Sequence, residues 1–258
     1  MRMKCPVCGE PLEKIGRTAR CINRHSFDYA RQGYINLALS SRGSHGDSAE
    51  SVRARTAFLN KGYYSFLRDA LVQKMKSVRH EAVVDLGCGE GYYTSAFPGD
   101  DKTGIDLSKA ALMHASKYDP ATSYILASIF HLPLFDECCD VAVTCFAPAS
   151  VDEICRILKP GGYFFYITPG ERHLFEIKEI VYEKPYLNTI KPLDIALTLT
   201  DTSVVKNTFA ISGADAFELF QMTPYAYRTA APDAEKLMQV EEMHLECEFV
   251  IRTYRKAE

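Results

Sequence analysis

A glycine-rich turn after an apolar run constrains the fold of this chain more than any other feature. Residues 81–93 (EAVVDLGCGEGYY) pass from β-branched residues to Asp85 and then to three glycines at alternate positions. This order predicts a buried parallel strand, a tight turn and a helix that begins near Gly91. Glycine lacks a Cβ, so the backbone of such a turn can approach a ligand closely. Because open α/β sheets bind ligands at the carboxyl ends of their strands, we predict a cofactor site at this loop.

A second acid indicates which cofactor the loop binds. Asp106 ends the next predicted strand, where doubly wound folds use an acid to accept hydrogen bonds from the ribose hydroxyls of an adenosine. A dinucleotide site needs the spacing G-x-G-x-x-G to hold a pyrophosphate, whereas this loop reads G-x-G-x-G and follows Asp85. A carboxylate there would repel phosphate but could hold the amino-acid end of S-adenosylmethionine, directly or through water. The residues predicted to form this methyl-donor site are Asp85, Gly87, Cys88, Gly89, Glu90, Gly91 and Asp106.

The first 25 residues contain four metal-ligand side chains in two pairs. Cys5 and Cys8 form a C-x₂-C pair, and after twelve residues Cys21 and His25 form a C-x₃-H pair. Two such pairs supply the four ligands of a tetrahedral structural Zn²⁺ site. A redox C-x-x-C is the alternative, but no strand pattern precedes Cys5 as a thioredoxin-like motif would require. We therefore predict one structural Zn²⁺ ion, whose binding supplies much of the folding free energy of this small module.

From residue 81 the pattern alternates strand and helix, which predicts an α/β fold with a mostly parallel, seven-stranded, Rossmann-like sheet. The expected strands are 82–86, 103–107, 124–127, 141–146, 163–168, 204–211 and 246–254. The expected helices are 109–117, 151–158, 171–182 and 214–220. The last strand is expected to insert antiparallel at one edge. Three parts follow: a zinc-binding, RNA-contacting module (1–40), a helical linker (41–80) and a methyltransferase domain (81–258).

The linker contains a polar loop and two helices. Residues 40–48 (SSRGSHGDS) read as a loop at a domain boundary that could be mobile until substrate binds. Asp47 or Ser48 can cap a helix over 50–59, and a second helix follows Tyr63 and Tyr64. These two tyrosines lie either at the mouth of the glycine loop or in ordinary packing, and the sequence leaves both open.

Charge is distributed unevenly along the chain. Residues 1–55 contain ten Lys and Arg against five Asp and Glu, while the remainder contains 20 against 28. A basic N-terminal part on an acidic body is expected if that end meets phosphate. The chain has no apolar run near the roughly 20 residues that span a bilayer, and its N-terminus lacks the apolar segment of a signal peptide. We therefore expect a cytoplasmic protein without a membrane partner.

These motifs resemble those of a known family. The glycine loop with Asp106, and Lys159-Pro160-Gly161-Gly162 before the fifth strand, look like class I S-adenosylmethionine-dependent methyltransferases. The whole chain is similar to the RlmA-type 23S rRNA guanine-N1 methyltransferases. The matching segments are the Cys/His pairs of 5–25 and residues 46–50, 85–93, 168–174 and 221–225.

The resemblance implies a methyl transfer from S-adenosylmethionine to N1 of a guanine in a 23S rRNA hairpin, gripped in part by the zinc module. It also implies that Tyr64, the Gly89-Glu90 pair and His173 contact the donor. Two such clefts could embrace one RNA, so a homodimer is one arrangement left open. The proton on N1 needs an acceptor, and Glu90, His173 and water are the candidates; no catalytic residue is assigned.

Two other functions compete with this one. A small-molecule methyltransferase could carry a purely structural zinc module, and a non-catalytic RNA-binding or assembly protein could keep the fold. The fourth strand ends in Thr144-Cys145-Phe146-Ala147-Pro148 and not in the Asn/Asp-Pro-Pro-Tyr/Phe of adenine amino methylases. This difference fits a ring-nitrogen target, although a small-molecule methylase would also lack the motif. The aromatic residues at 92–93 and 146 either hold an extruded base or pack in the core.

Overall fold

The computed structural model describes residues 1–39 and 46–258. The strands are β1 (Met3–Lys4), β2 (Pro11–Ile15), β3 (Thr18–Arg20), β4 (Ser26–Asp28), β5 (Ile35–Asn36), β6 (Ala82–Leu86), β7 (Asp101–Asp106), β8 (Ser123–Leu126), β9 (Cys139–Cys145), β10 (Leu158–Pro169), β11 (Thr198–Ser212) and β12 (Glu242–Arg255). The helices are α1 (Ala49–Asn60), α2 (Ser65–Lys76), α3 (Lys109–Tyr118), α4 (Val151–Ile157), α5 (Phe175–Val181), α6 (Gly213–Gln221) and α7 (Ala231–Glu235).

The large sheet has the order β11-β12-β10-β9-β6-β7-β8-β5. Strands β6 to β10 pair in parallel, and β12 inserts antiparallel between β10 and β11. The prediction of a mostly parallel sheet with an antiparallel last strand is therefore confirmed. Seven strands were expected, and the described residues form eight, because the two-residue strand β5 of the N-terminal part pairs with β8. The additional strand is too short to show a sequence pattern of its own.

Two predicted helices differ from the structure, and strands β10, β11 and β12 begin at Leu158, Thr198 and Glu242 instead of the predicted 163, 204 and 246. The helix expected near Gly91 is wrong: the loop is followed by a single 3₁₀ turn, Thr94–Ala96. Pro98 disfavours helical backbone at the residue before it, and Gly99 has a φ of 110°, so the chain turns away after one turn. The helix expected over 171–182 begins only at Phe175.

Helices α1 and α2 cover one face of the sheet. Ser48 is the N-cap of α1, and its hydroxyl accepts a hydrogen bond from the Ser51 amide at 3.1 Å. On α2 the apolar residues Leu67, Leu71 and Met75 recur every four positions, and all three are fully buried. Burial of each such side chain contributes about 2 kcal/mol. These residues, with Phe58 of α1, lie in one apolar cluster with Val83 and Val143 of the sheet, so both helices are packed against this face.

The zinc-ligand module shares a core with the other face. Leu12 and Ala19 of the small four-stranded sheet lie in one apolar cluster with Leu134 and Ala142. The Lys4 amide also donates to the Pro133 carbonyl at 2.8 Å. The boundary expected at residue 40 stays a prediction, and the apolar core crosses it. Residues 40–45 of the expected polar loop lie outside the described residues.

Among the helices of residues 1–39 and 46–258, none is both long enough and apolar enough to cross a membrane.

Candidate active site

The glycine loop lies at the carboxyl end of β6 and is tied to β7. The amides of Gly87 and Cys88 both donate to the Ile105 carbonyl, at 2.8 and 3.1 Å. Gly91 has a φ of 83°, and a Cβ there would lie 2.7 Å from the Tyr124 hydroxyl. A Cβ on Gly87 would collide with the side chain of Ala147. Only glycine fits these two positions, and the loop therefore presents bare backbone to the cleft.

Asp85 is the buried carboxyl directly below this loop. Its Oδ2 accepts a hydrogen bond from the Thr94 hydroxyl at 2.5 Å. Its Oδ1 is buried and has no hydrogen-bond partner among the described residues. Burial raises the pKa of Asp85 to about 7, while the Thr94 hydrogen bond opposes the rise and the charges of Asp106 and Glu90 add to it. A buried acceptor without a partner costs free energy, which a cationic ligand group such as an ammonium would recover.

Asp106 is held by backbone amides at the end of β7. Its Oδ2 accepts from the Gly89 amide at 2.9 Å and its Oδ1 from the Ser108 amide at 2.6 Å. Burial raises the pKa of Asp106, although both hydrogen bonds oppose the rise. Each carboxylate oxygen can accept a further hydrogen bond. The fixed carboxylate therefore suits a diol such as that of a ribose.

The loop geometry also separates the two cofactor classes weighed from the sequence. A pyrophosphate binds at the N-terminus of a helix, where free amides and the helix dipole favour negative charge. Here the loop is followed by one 3₁₀ turn and not by a helix, and the buried carboxyl of Asp85 lies where it would oppose a phosphate. The site fits the ammonium and ribose of S-adenosylmethionine and not a dinucleotide.

An ion pair connects helix α1 to the glycine loop. Arg55 Nε donates to Oε2 of the buried Glu90 at 2.6 Å, and its guanidinium also pairs with Asp47. The Arg55 guanidinium lies 3.2 Å from the place where a Cβ on Gly89 would be. Sequence reasoning missed Arg55, because the pairing depends on how α1 crosses the sheet. Its only local signal is the neighbouring segment 46–50.

Tyr64 and His173 come together around a ring that sequence reasoning also missed. Phe249 of β12 is 4.5 Å from the His173 ring and 5.0 Å from the Tyr64 ring, measured between centroids. Phe249 is in turn 5.2 Å from Phe146, which is 6.3 Å from Tyr93 beside the glycine loop. These ring contacts therefore join Tyr64 and His173, through Phe249 and Phe146, to Tyr93 beside the glycine loop.

His173 is neutral in this cleft. Burial lowers its pKa to about 3, and the charge of Lys178 adds to the effect. Its Nδ1 is buried and has no hydrogen-bond partner in the part of the chain that the structure describes. The imidazole can exchange one hydrogen bond with a ligand but is a weak base.

A buried polar network fixes the loop that carries His173. Asn188 donates through Nδ2 to the carbonyls of Gly170 and His173, at 2.8 and 3.4 Å. Its Oδ1 accepts from the Lys178 ammonium and from the Tyr225 hydroxyl, both at 2.6 Å. Lys178 is 1% exposed and lies 4.5 Å from the Tyr225 ring centroid. The network joins segments 168–174 and 221–225, two of the segments that carry the family resemblance.

The four predicted metal ligands also come together. The ligand atoms of Cys5, Cys8, Cys21 and His25 all lie within 4.8 Å of one another. Cys8 Sγ is 3.7 Å from Cys21 Sγ, and His25 Nδ1 is 3.4 Å from Cys21 Sγ and 3.6 Å from Cys5 Sγ. Tetrahedral Zn²⁺ with bonds of about 2.3 Å to sulfur places its ligands about 3.7 Å apart. The donor set and the spacing both fit one structural Zn²⁺ ion.

Comparison with known proteins identifies both parts of the chain. Residues 3–38 match the family described as RlmA, N-terminal, which is a zinc ribbon. Residues 84–166 match the family described as methyltransferase domain. The zinc module and the methyl-donor cofactor predicted from the motifs are thereby confirmed.

Solved structures confirm the fold class. A candidate methyltransferase from Bacillus halodurans superposes with a TM-score of 0.52 at 16% identity, over 73% of this chain and 98% of that one. A chain from a Haloferax volcanii complex of a methyltransferase activator with a candidate methyltransferase gives 0.52 at 18% identity, over 81% and 95%.

Sequence relatives define the family. A 23S rRNA (guanine(748)-N(1))-methyltransferase from Streptomyces fradiae is 36% identical over 184 residues, covering 68% of this chain and 66% of that protein. A candidate 23S rRNA (guanine-N(1)-)-methyltransferase from Micromonospora griseorubida is 36% identical over 68% of each protein. One from Bacillus subtilis is 32% identical over 72% of each. The chain therefore belongs to the RlmA-type 23S rRNA (guanine-N1)-methyltransferases.

Proposed function

We propose that this protein transfers a methyl group from S-adenosylmethionine to N1 of a guanine in a 23S rRNA hairpin. The observation that carries the proposal is the sequence likeness to 23S rRNA (guanine-N1)-methyltransferases, which extends over 68–72% of the chain. The cleft geometry supports it, because the buried acids suit the two polar ends of the methyl donor.

The donor would lie across the carboxyl edge of the sheet. Asp85 would pair through its free Oδ1 with the ammonium of the methionine moiety, and Asp106 would accept from the ribose hydroxyls. Gly87, Cys88, Gly89, Glu90 and Gly91 would form the floor of the site. Tyr64 and His173 would enclose the donor from the opposite side of the cleft, with the His173 Nδ1 as a hydrogen-bonding atom.

The bound donor supplies an electrophilic methyl group on a sulfonium, so the protein's part is mainly positioning and exclusion of water. The bond from carbon to guanine N1 forms as the bond from carbon to sulfur breaks, and the N1 proton leaves. Neither side-chain candidate for that proton is a good acceptor. Glu90 is engaged by Arg55 at 2.6 Å, and the pKa of His173 is lowered to about 3. We therefore assign neither side chain as the base: the proton is released to solvent water as the new bond to carbon makes N1 strongly acidic.

The position of the methylated nitrogen on the base determines how the protein must handle the RNA. N1 lies on the Watson–Crick edge, so the guanine must be unpaired or extruded before it can react. The zinc ribbon would grip the RNA, in agreement with the ten Lys and Arg of residues 1–55. Such an enzyme would act in the cytoplasm. Two copies could embrace one hairpin as a homodimer, which light scattering with and without RNA would test.

The competing functions make different demands on the chain. A small-molecule methyltransferase could carry the zinc ribbon as a structural module in the shared core, but it gives no reason for the excess of Lys and Arg over Asp and Glu in residues 1–55. A non-catalytic RNA-binding protein has no use for a buried, unpaired Asp85 Oδ1 beside the glycine loop. The proposed rRNA methyltransferase uses both features.

The proposal is tested by incubating the protein with radiolabelled methyl donor and 23S rRNA from cells that lack the modification. Methylation at N1 blocks reverse transcription, so primer extension is expected to stop at one guanine in a donor-dependent way. The Asp85→Asn variant serves as the control. Label in RNA without a stop, or no label at all, would contradict the proposal.

A further inference from the structure

We infer that the ring of Phe146 is the surface on which the target guanine stacks during methyl transfer. The inference rests on the proposed function and adds the residue that holds the acceptor base. It follows from the backbone conformation, the neighbours and the exposure of this one side chain.

Phe146 has a backbone conformation that a bulky residue rarely adopts. It directly follows β9, a central strand of the sheet, and its φ is 60°. Its amide donates to the Ile167 carbonyl of β10 at 3.2 Å, so the turn is held by the sheet itself. Left-handed backbone is unfavourable for a phenylalanine, whose Cβ crowds the following carbonyl oxygen. Such strain is concentrated at functional sites, where the surrounding structure holds a side chain in a required direction.

The neighbours of Phe146 place it between the two halves of the cleft. The next residue, Ala147, packs directly on Gly87 of the glycine loop. The Phe146 ring contacts Phe249, which also contacts His173 and Tyr64. The methyl acceptor must lie beside the sulfonium, between the glycine loop and the His173 group. Phe146 lies next to that place, with Ala147 connecting it to the glycine loop and Phe249 connecting it to the His173 group.

Exposure separates Phe146 from its aromatic neighbours. It is 43% exposed, whereas Phe249 is 1% and Tyr64 6% exposed. A phenylalanine that served only the core would be buried as they are. An exposed ring supported by aromatic rings beneath it is a surface for stacking, and every nucleobase has a face that can stack. Stacking also suits this reaction, because it leaves the N1 edge of the guanine free for the methyl group.

Three substitutions separate the ring from the backbone. Phe146→Gly keeps the left-handed backbone and removes the ring, Phe146→Leu keeps apolar bulk, and Phe146→Tyr keeps the aromatic face. The matched control is Leu199→Ala. Leu199 is 45% exposed, but it lies on the edge strand β11 and pairs with Tyr254, near the opposite end of the strands.

The experiment measures kcat/KM for unmethylated 23S rRNA and, by calorimetry, the Kd for S-adenosylmethionine. Loss of a base–aromatic stack predicts that Phe146→Gly and Phe146→Leu lower kcat/KM by about 10- to 100-fold. We expect Phe146→Tyr and Leu199→Ala to stay within about threefold of the wild type and every donor Kd within about twofold. The thermal unfolding midpoint of each variant reports whether it is folded.

The outcomes separate this inference from the proposed function. An active wild type with Phe146→Gly or Phe146→Leu at wild-type kcat/KM would overturn the role of Phe146 and leave the proposed function intact. A parallel loss of donor affinity would also overturn it, because Phe146 would then belong to the donor site. A wild type that makes no 1-methylguanine in 23S rRNA would overturn both.

Discussion

Binding of the methyl donor should depend on pH through Asp85. Burial raises the pKa of this carboxyl to about 7 in the donor-free protein. An ammonium paired with the free Oδ1 would favour the charged carboxylate and lower that pKa well below its donor-free value. At pH 6 the donor must therefore displace a proton from Asp85, whereas near pH 8 the carboxylate is already ionised.

The size of the effect follows from the pKa. With a donor-free pKa of about 7, roughly nine-tenths of Asp85 is protonated at pH 6, and the donor affinity should fall about tenfold between pH 8 and pH 6. Asp85 should contribute a release of about 0.9 proton at pH 6 and about 0.1 at pH 8, measured as the difference from Asp85→Asn so that ionisation of the donor's own amino group cancels. The Thr94→Val variant removes the hydrogen bond that opposes the pKa rise of Asp85. The pH at which donor affinity is half-maximal should therefore be higher in this variant than in the wild type.

Calorimetric titration of S-adenosylmethionine in buffers of different ionisation enthalpy gives both the affinity and the proton count. Asp85→Asn is the matched control: it should bind the donor more weakly, without proton release from this site. Wild-type affinity that is flat between pH 6 and pH 8, with no proton release at pH 6, would refute the assigned pairing.

Three further predictions follow from the same contacts. Because the pKa of Asp85 is raised above its unfolded value near 3.9, its protonated form stabilises the folded state, and this stabilisation is lost as pH rises through about 7. At pH 8, donor-free Asp85→Asn should therefore unfold at a higher temperature than the wild type. The difference in unfolding temperature should shrink below pH 6. Zinc chelation should weaken binding of the rRNA hairpin more than donor binding, and equal loss of both would count against an RNA-gripping module. Asn188→Ala removes four side-chain hydrogen bonds, so it should destabilise the protein by about 2–4 kcal/mol in urea unfolding and raise the donor KM. Tyr225→Phe removes one of these bonds and should destabilise the protein by about 1 kcal/mol. A similar loss of stability in the two variants would show that Asn188 does not fix the His173 loop.

Features with a local cause were predictable from the sequence. Strand β6 was expected at 82–86 and is Ala82–Leu86, since an apolar run that stops at glycine has few alternatives. The zinc ligands were readable because both pairs are close in sequence. Ser48 caps α1 as one of the two expected candidates. In each case a few neighbouring residues determine the structure.

Features that depend on distant packing were not predictable. Phe249 reaches Tyr64 and His173 only because β12 inserts between β10 and β11. Arg55 reaches Glu90 because α1 crosses the glycine loop, and Asn188 joins segments 168–174 and 221–225, which are far apart in the sequence. No local sequence pattern predicts these contacts. The helix expected after Gly91 is absent for a local reason, because Pro98 and Gly99 end it after one 3₁₀ turn.

The central claim is that this protein places a methyl group on N1 of a guanine in 23S rRNA. It is tested most directly by nucleoside mass spectrometry of unmethylated 23S rRNA after reaction with trideuteromethyl donor. We predict labelled 1-methylguanosine at about one residue per rRNA with the wild-type protein, and far less with Asp85→Asn. Label in another nucleoside, or none in the RNA, would contradict the account.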